Sequence, residues 1–248
     1  GTADGAPRRA GLAEKALSRL EGELMPQYLA AQRWFAEKDP APPDGGGGPG
    51  GGPVVRVNQL VDWPIPGGAA LLALFDVVAA RTARYFAPLT LIWEDDSDTT
   101  RLPSPTVLAK VRQQARVGLL VDALADDRFC RSVVEAIAGS QTVTAGAVRI
   151  EFRPTRRFAG ASAELVRGES GELTVRHPPA QSSNTTVIVG DRLFLKTYRR
   201  VAAGVPVEIE IGRYLTEVVA FDHAVPVLGT VELIPASGAE PTALAVLQ

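Results

Sequence analysis

The chain opens with apolar residues at helical spacing. Leu12, Ala16, Leu20 and Leu24 recur every four positions with Glu14, Lys15, Arg19 and Glu23 between them, a pattern that predicts an amphipathic helix. Pro26 ends or kinks that helix, and it suits the first turn of a second short one. Tyr28, Leu29, Arg33, Trp34 and Phe35 then form a dense patch. Beyond residue 53 the period changes. Residues 54–63 alternate in part, residues 69–80 are apolar except at Asp76, and residues 82–94 hold Tyr85, Phe86, Leu89, Leu91, Ile92 and Trp93. Such β-branched and aromatic runs predict strands, with a hairpin turn near Arg81 and Thr82. Residues 107–138 read as mostly helical. Within them Asp126 can cap a helix whose Phe129, Val133, Val134 and Ile137 share one face, with Gly139 closing it. From Gln141 the strand pattern returns, over 141–153, 163–167 and 172–176. The sum predicts an α+β chain.

The segment 181–217 carries most of the chemistry. Residues 185–189 read as a strand, Gly190-Asp191 as a tight hairpin turn, and residues 192–198 as the returning strand. Alternation puts Leu193 and Leu195 on one face and Phe194 and Lys196 on the other. Lys196 therefore sits among apolar neighbours, where a charge needs a partner. Residues 205–219 read as a helix, with Pro206 near its first turn and carboxylates at Glu208, Glu210 and Glu217. A strand-borne Lys followed by a helix-borne Glu is the layout in which kinases hold nucleotide phosphates. The preceding loop, Gln181-Ser182-Ser183-Asn184-Thr185, offers short polar side chains and backbone N–H groups to phosphate oxygens. It lacks the glycines of the protein-kinase loop, which disfavours a protein kinase. A hairpin with a half-buried Lys ahead of an amphipathic helix also occurs as a plain structural unit, with the ion pair serving stability alone.

Composition narrows the field. With 26 Lys+Arg against 28 Asp+Glu the net charge is −2, which argues against a broad nucleic-acid or anionic-membrane footprint. No apolar run approaches the roughly 20 residues of a membrane span, and no signal peptide shows at the start. Cys130 is the single cysteine and His177 and His223 the two histidines. Intramolecular disulfides and Cys-based zinc sites are thereby excluded, and a His-rich metal site has little to draw on. Cys130, beside the apolar face of its helix, reads as a buried structural thiol. These counts fit a cytoplasmic protein. Residues 40–53, PAPPDGGGGPGGGP, cannot build a core and read as a surface loop rather than a phosphate cradle. The acidic run at 95–98 lacks the alternation of a calcium loop. Arg149, Arg153, Arg156 and Arg157 read as a solvated sheet edge, and Trp34, Phe35, Trp63 and Trp93 as core packing rather than a sugar platform. The apolar run 243–248 reads as a buried strand, which suggests that the chain is a fragment.

The hairpin QSSNTTVIVGDRLFLKTYRR with the following VEIEIGRYLTE resembles the nucleotide-binding lobe of the actinobacterial-type maltokinases, sugar kinases distantly related to aminoglycoside phosphotransferases. Gln32-Arg33-Trp34-Phe35 is similar to that family's N-terminal cap, and Leu120-Val121-Asp122-Ala123-Leu124 to the middle of its lobe, in the same order along the chain. The resemblance implies a cap subdomain over 1–100, with 40–53 as a loop insertion, and a kinase-like N-lobe of antiparallel sheet and helices over 101–248. It implies that Ser182, Ser183, Asn184 and Thr185 form the phosphate loop, that Lys196 binds the α/β-phosphates, that Glu210 pairs with Lys196, and that residues 243–248 approach the adenine. Glu208 is the weaker candidate for the pair. Pro178-Pro179-Ala180 departs from the residues usual before the loop. The implied parent activity is transfer of the ATP γ-phosphoryl group to maltose, giving maltose 1-phosphate for α-glucan synthesis, with Mg²⁺. Neither histidine sits in a His-Gly-Asp-like segment, so the catalytic Asp, metal ligands and sugar pocket are expected in a C-terminal lobe absent here, and this chain alone is expected to be inactive. The alternatives are a glucosamine or other sugar kinase with the same cap, and a non-catalytic interaction module, such as one fused to or associated with a trehalose synthase.

Overall fold

The computed structural model describes residues 14–37, 53–79, 81–95, 102, 104–158, 173–179, 183–221 and 223–248. Leu12, the glycine-rich stretch 40–52, the expected strand 163–167, Gln181 and Ser182 lie outside them.

The first helical run covers 14–31. It widens to a π-helical stretch at Leu20–Leu24 and continues as α1, Met25–Ala31. Proline lacks an N–H and crowds the carbonyl four residues back, so the wider turn just before Pro26 lets the helix run on. Strands β1 (Val54–Ile65), β2 (Gly68–Val78), β3 (Thr82–Phe86) and β4 (Leu89–Trp93) follow. The run 82–94 is thus two strands, broken at Ala87-Pro88 because proline cannot donate to the ladder.

Residues 107–122 are strands, not the helix their spacing suggested: β5 (Val107–Gln113) and β6 (Arg116–Asp122) pair as an antiparallel hairpin. Its turn places Gln114 at φ 54°. Val107, Val111, Val117 and Val121 lose less side-chain freedom in strands than in a helix. The helix in this region is α2 (Asp127–Ala138). Asp126 caps it by accepting from the Arg128 N–H, and Phe129, Val133, Val134 and Ile137 are all buried.

Two antiparallel sheets result. The first orders β3, β2, β4, β6 and β5, with β1 on the other edge of β2. The second contains β7 (Thr142–Ala145), β8 (Val148–Pro154), β9 (Val175–Arg176), β10 (Asn184–Val189), β11 (Leu193–Tyr198), β13 (Gly229–Pro235) and β14 (Thr242–Leu247). Its order is β7-β8-β13-β14-β11-β10-β9. The expected division at residue 100 falls inside the first sheet, between β4 and β5, and the change of sheet comes only after Asp122.

One core cluster packs residues of both sheets around α2, including Trp63, Phe129, Phe152 and Leu195. Trp63 stacks on Phe152 at 4.9 Å between ring centres and meets Phe129 edge-on at 5.6 Å. A second cluster packs α1, Trp34 and Phe35 against β1–β3. The aromatic residues near the start therefore fill a core. A short strand, β12 (Arg200–Val201), leaves the end of β11 and pairs with β3 of the first sheet.

Candidate functional site

The hairpin β10–β11 presents Lys196. Val189 pairs with Leu193, so the connection is a three-residue loop with Gly190 at φ 62°, one residue longer than the sequence suggested. The positive φ is why glycine stands at the turn. Alternation along β11 is as expected: Leu193 and Leu195 are buried, Phe194 is exposed, and Lys196 is half-buried. Lys196 faces Thr186 across β10 and Val246 across β14.

After β11 the chain enters α3 (Val207–Arg213), which passes into a π-helical stretch at Tyr214–Val218. Glu208 takes both oxygens to Lys196 Nζ, at 2.7 and 2.9 Å, and accepts from the Tyr198 hydroxyl at 2.5 Å. The Lys196 ammonium also lies 5.5 Å from the centre of the Tyr198 ring. Partial burial pushes the Glu208 carboxyl up, but the hydrogen bonds from Lys196 and Tyr198 and the Lys196 charge outweigh it, so it titrates below the ordinary carboxylate value. Burial, followed by the bond to Glu208, pushes the Tyr198 phenol well up and keeps it a donor.

The expected partner of Lys196, Glu210, does not make this pair. It is exposed. Residues two apart on a helix are separated by about 200°, and the buried direction of α3 is set by Ile209, 0% exposed. Gly212 and Arg213 lie on the same side as Ile209, and Glu208 and Glu210 flank it at about 100° on opposite sides, so only one of them can face β11, and that one is Glu208.

The four expected loop residues are placed unequally. Ser182 lies outside the described residues and Ser183 is exposed. Asn184 and Thr185 are not in a loop: they begin β10, opposite Tyr198 and Thr197. The Thr185 hydroxyl accepts from Arg199 Nε at 2.8 Å. On the other side of β11 from β10, β14 lies between β11 and β13, and Phe194 and Gln248 exchange both backbone hydrogen bonds. The closing apolar run is thus a central strand beside Lys196.

A cleft of about 940 Å³ opens between α1, the β6–α2 connection and β10. Trp34, Asp122, Arg128, His177, Thr185 and Arg199 help line it, while Lys196 and Glu208 do not. Its floor is a buried network that sequence reasoning missed. Arg199 Nη2 is paired with Asp122 Oδ2, and Tyr28 donates to the same oxygen at 2.5 Å. Arg199 lies 4.7 Å from the Trp34 ring centre. Burial pushes the Tyr28 phenol well up, with the Asp122 charge adding to it. Burial works against the Arg199 charge, and Asp122 and Tyr28 more than restore it. Arg199 and Asp122 both sat in segments singled out above, but nothing local told either that it would be buried. At the cleft's rim His177 Nε2 lies 2.9 Å from Asp127. Cys130 is fully buried, its thiol donating to the Leu124 carbonyl at 3.5 Å. Among the described residues no group of three or more His, Cys, Asp or Glu side chains is placed to hold a metal ion, and no helix is long and apolar enough to cross a membrane.

No family model matches the chain. No curated protein matches it either. Solved structures of a glucosamine kinase are similar to it. One, in complex with glucosamine, ADP and inorganic phosphate, aligns at a TM-score of 0.48 and 19% identity over 93% of this chain and 40% of that one. Crystal form A of the same enzyme gives 0.47 and 19%, and crystal form B 0.44 and 18%. The chain spans about two-fifths of the length of these structures.

Proposed function

We propose that the chain is the nucleotide-binding portion of an ATP-dependent sugar kinase. The observation that supports this most directly is Lys196, carried on a central strand and gripped at 2.7 and 2.9 Å by a carboxylate of the next helix. A lysine so held is pre-oriented, and its charge is available to phosphate oxygens. In this reading Lys196 binds the α/β-phosphates and Glu208 takes the orienting role first expected of Glu210. In the same reading the expected loop residues Ser182, Ser183 and Asn184 approach the phosphates, Thr185 contributes only its backbone because its hydroxyl is bound to Arg199, and residues 243–248 approach the adenine. Maltose is the acceptor implied by the sequence resemblance, with glucosamine or another sugar as the alternative. Phosphoryl transfer of this kind uses Mg²⁺ to neutralise charge on the transferring group. Among the described residues no group of side chains is placed to hold Mg²⁺.

The test is calorimetric titration of ATP and ADP into the wild-type chain and into Lys196→Ala. Lys196 is only partly buried, so the variant keeps its fold, checked by circular dichroism, and nucleotide affinity falls at least about tenfold. Absence of binding to the wild type refutes the nucleotide reading. Equal binding to both chains removes Lys196 from the site. The interaction-module alternative predicts the first of these results.

A further inference from the structure

Helix α3 carries Glu208, yet little of it is buried. Val207 and Ile211 are exposed, as are Tyr214 and Val218 in the π-helical stretch that continues it, and Ile209 is the one buried residue of α3. Its α-helical part spans seven residues and the π-helical continuation five, and its N-cap, Pro206, provides no side-chain hydrogen bond. A helix this short is unstable by itself and takes its position from tertiary contacts. Those contacts gather at its far end. Arg213 Nη2 binds Glu232 Oε1 at 2.7 Å and Thr230 Oγ1 at 2.6 Å. The Thr230 hydroxyl in turn donates to Glu232 at 2.8 Å. Glu232 is 2% exposed and Thr230 fully buried. Arg153 is a second, more distant cation, with Nη1 at 3.8 Å from Glu232 Oε2. Beside Arg213 a Cβ on Gly212 would lie 2.6 Å from Val227 Cγ2, so glycine is what lets the helix approach. Thr216 Oγ1 accepts from the Val227 N–H at 3.0 Å.

The sheet register shows what this anchor does. Lys196, Val246 and Thr230 are cross-strand partners in one row through β11, β14 and β13, and such partners share a face. Helix α3 therefore lies across that face, with Glu208 over β11 and Arg213 over β13. Two strand spacings amount to about 9.6 Å, and five helical residues to about 7.5 Å. Long side chains at both ends close the difference. The helix is a strut pinned at two points, and the buried carboxylate at one end fixes where the carboxylate at the other end falls.

We propose that Arg213 and Glu232 are positioning residues for the Lys196 site: their ion pair sets the phase and seat of α3, and thereby holds Glu208 against Lys196. The functional consequence rests on the nucleotide reading above, whereas the mechanical coupling does not. The chain's four lysines are Lys15, Lys38, Lys110 and Lys196, so ¹⁵N-lysine labelling gives a sparse ammonium spectrum in which Lys196→Arg assigns the Lys196 signal. In Glu232→Gln, which keeps the shape and hydrogen bonding of the buried group, the Lys196 ammonium exchanges with water about fivefold faster than in wild type. Val133→Ala, which opens a cavity on the opposite face of the sheet, leaves that rate unchanged. An unchanged rate in Glu232→Gln overturns the proposal, as does an equal acceleration in both variants, which marks general loosening. Arg213→Lys, retaining the charge without the fork, gives an intermediate rate and guards against a fold defect peculiar to Glu232. ATP titration on the same samples reads the functional consequence: a fall of about fivefold or more in Glu232→Gln is expected where the wild type binds. A wild type that binds no nucleotide sinks the nucleotide reading, while the ammonium rates still decide the coupling.

Discussion

Asp122→Asn is the sharpest single perturbation of the fold. The substitution is close to isosteric, so the side-chain oxygen that caps the turn at Leu124 (N–H to Oδ1, 3.0 Å) is retained. What it removes is the charge and, at the Oδ2 position, the acceptor shared by Tyr28 and Arg199, which then face an amide N–H. Arg199 is 2% exposed and Asp122 3% exposed, so the variant leaves a guanidinium inside the protein without its counter-ion. Breaking a buried pair from one side costs about 3–5 kcal/mol, because the surviving charge has lost its solvation and gains nothing in return. For a chain of this size each kcal/mol corresponds to about 2–4 °C in melting temperature, which gives a fall of about 6–20 °C. Tyr28→Phe removes one donor from the same carboxylate and costs less, about 1–2 kcal/mol. Urea unfolding followed by tryptophan fluorescence measures both, since Trp34 packs against Arg199. Glu23→Gln is the reference: it breaks an exposed pair with Arg19, whose partners are 60% and 49% exposed, and changes stability by less than about 0.5 kcal/mol. A loss below about 1 kcal/mol in Asp122→Asn would refute the reasoning, since the Arg199 charge would then have another source of compensation.

Cys130 is fully buried, and burial, with the nearby charges of Asp127, Asp126 and Asp122, pushes its thiol well up; the native chain is expected to react with a thiol reagent at pH 8 about a thousandfold more slowly than the urea-unfolded chain, and comparable rates would show that the site is open. Glu208 titrates below its ordinary value, so its pair with Lys196 contributes stability above about pH 4.5, lost as the pH falls through the lower folded value. Because the carboxylate is 47% exposed, that contribution is under about 1 kcal/mol. Stability profiles of wild type and Glu208→Gln from pH 3 to 7 should converge at the acid end, and a constant gap would contradict the assigned pair.

Helix α2 was legible because its cap, buried face and closing glycine all lie within residues 126–139. The strands at 107–122 were not, since their valines and leucines satisfy a helical period as well as an alternating one. Their turn, at Gln114 and Ala115, carries none of the Asn-Gly signature that marks a hairpin. Lys196 was found by strand alternation, which needs only one residue of phase. Its partner was not, because Glu208 and Glu210 flank the inward Ile209 symmetrically and choosing between them requires knowing which flank of the helix lies over β11. That is decided by the approach of Gly212 to Val227 and the grip of Glu232 on Arg213, both contacts with a later part of the chain. Asp122 and Arg199 stand 77 positions apart, and no local pattern foretells that a charge on either will be enclosed.

The crossing of the chain from β11 into the first sheet limits how this protein can be rearranged. Immediately after the strand that bears Lys196, Arg199 reaches back to Asp122 and its carbonyl accepts from the Phe86 N–H at 2.8 Å. The next two residues complete the edge of β3. A chain begun at residue 127 would contain every strand of the second sheet and still lack the acid that neutralises Arg199. A chain stopped at residue 126 would leave β3 with an open edge, of the kind that recruits other strands. The lysine-bearing sheet is therefore not a cassette. Recombination or design that transplants it must carry the preceding sheet along, or replace Arg199 and Asp122 together with apolar side chains of similar volume.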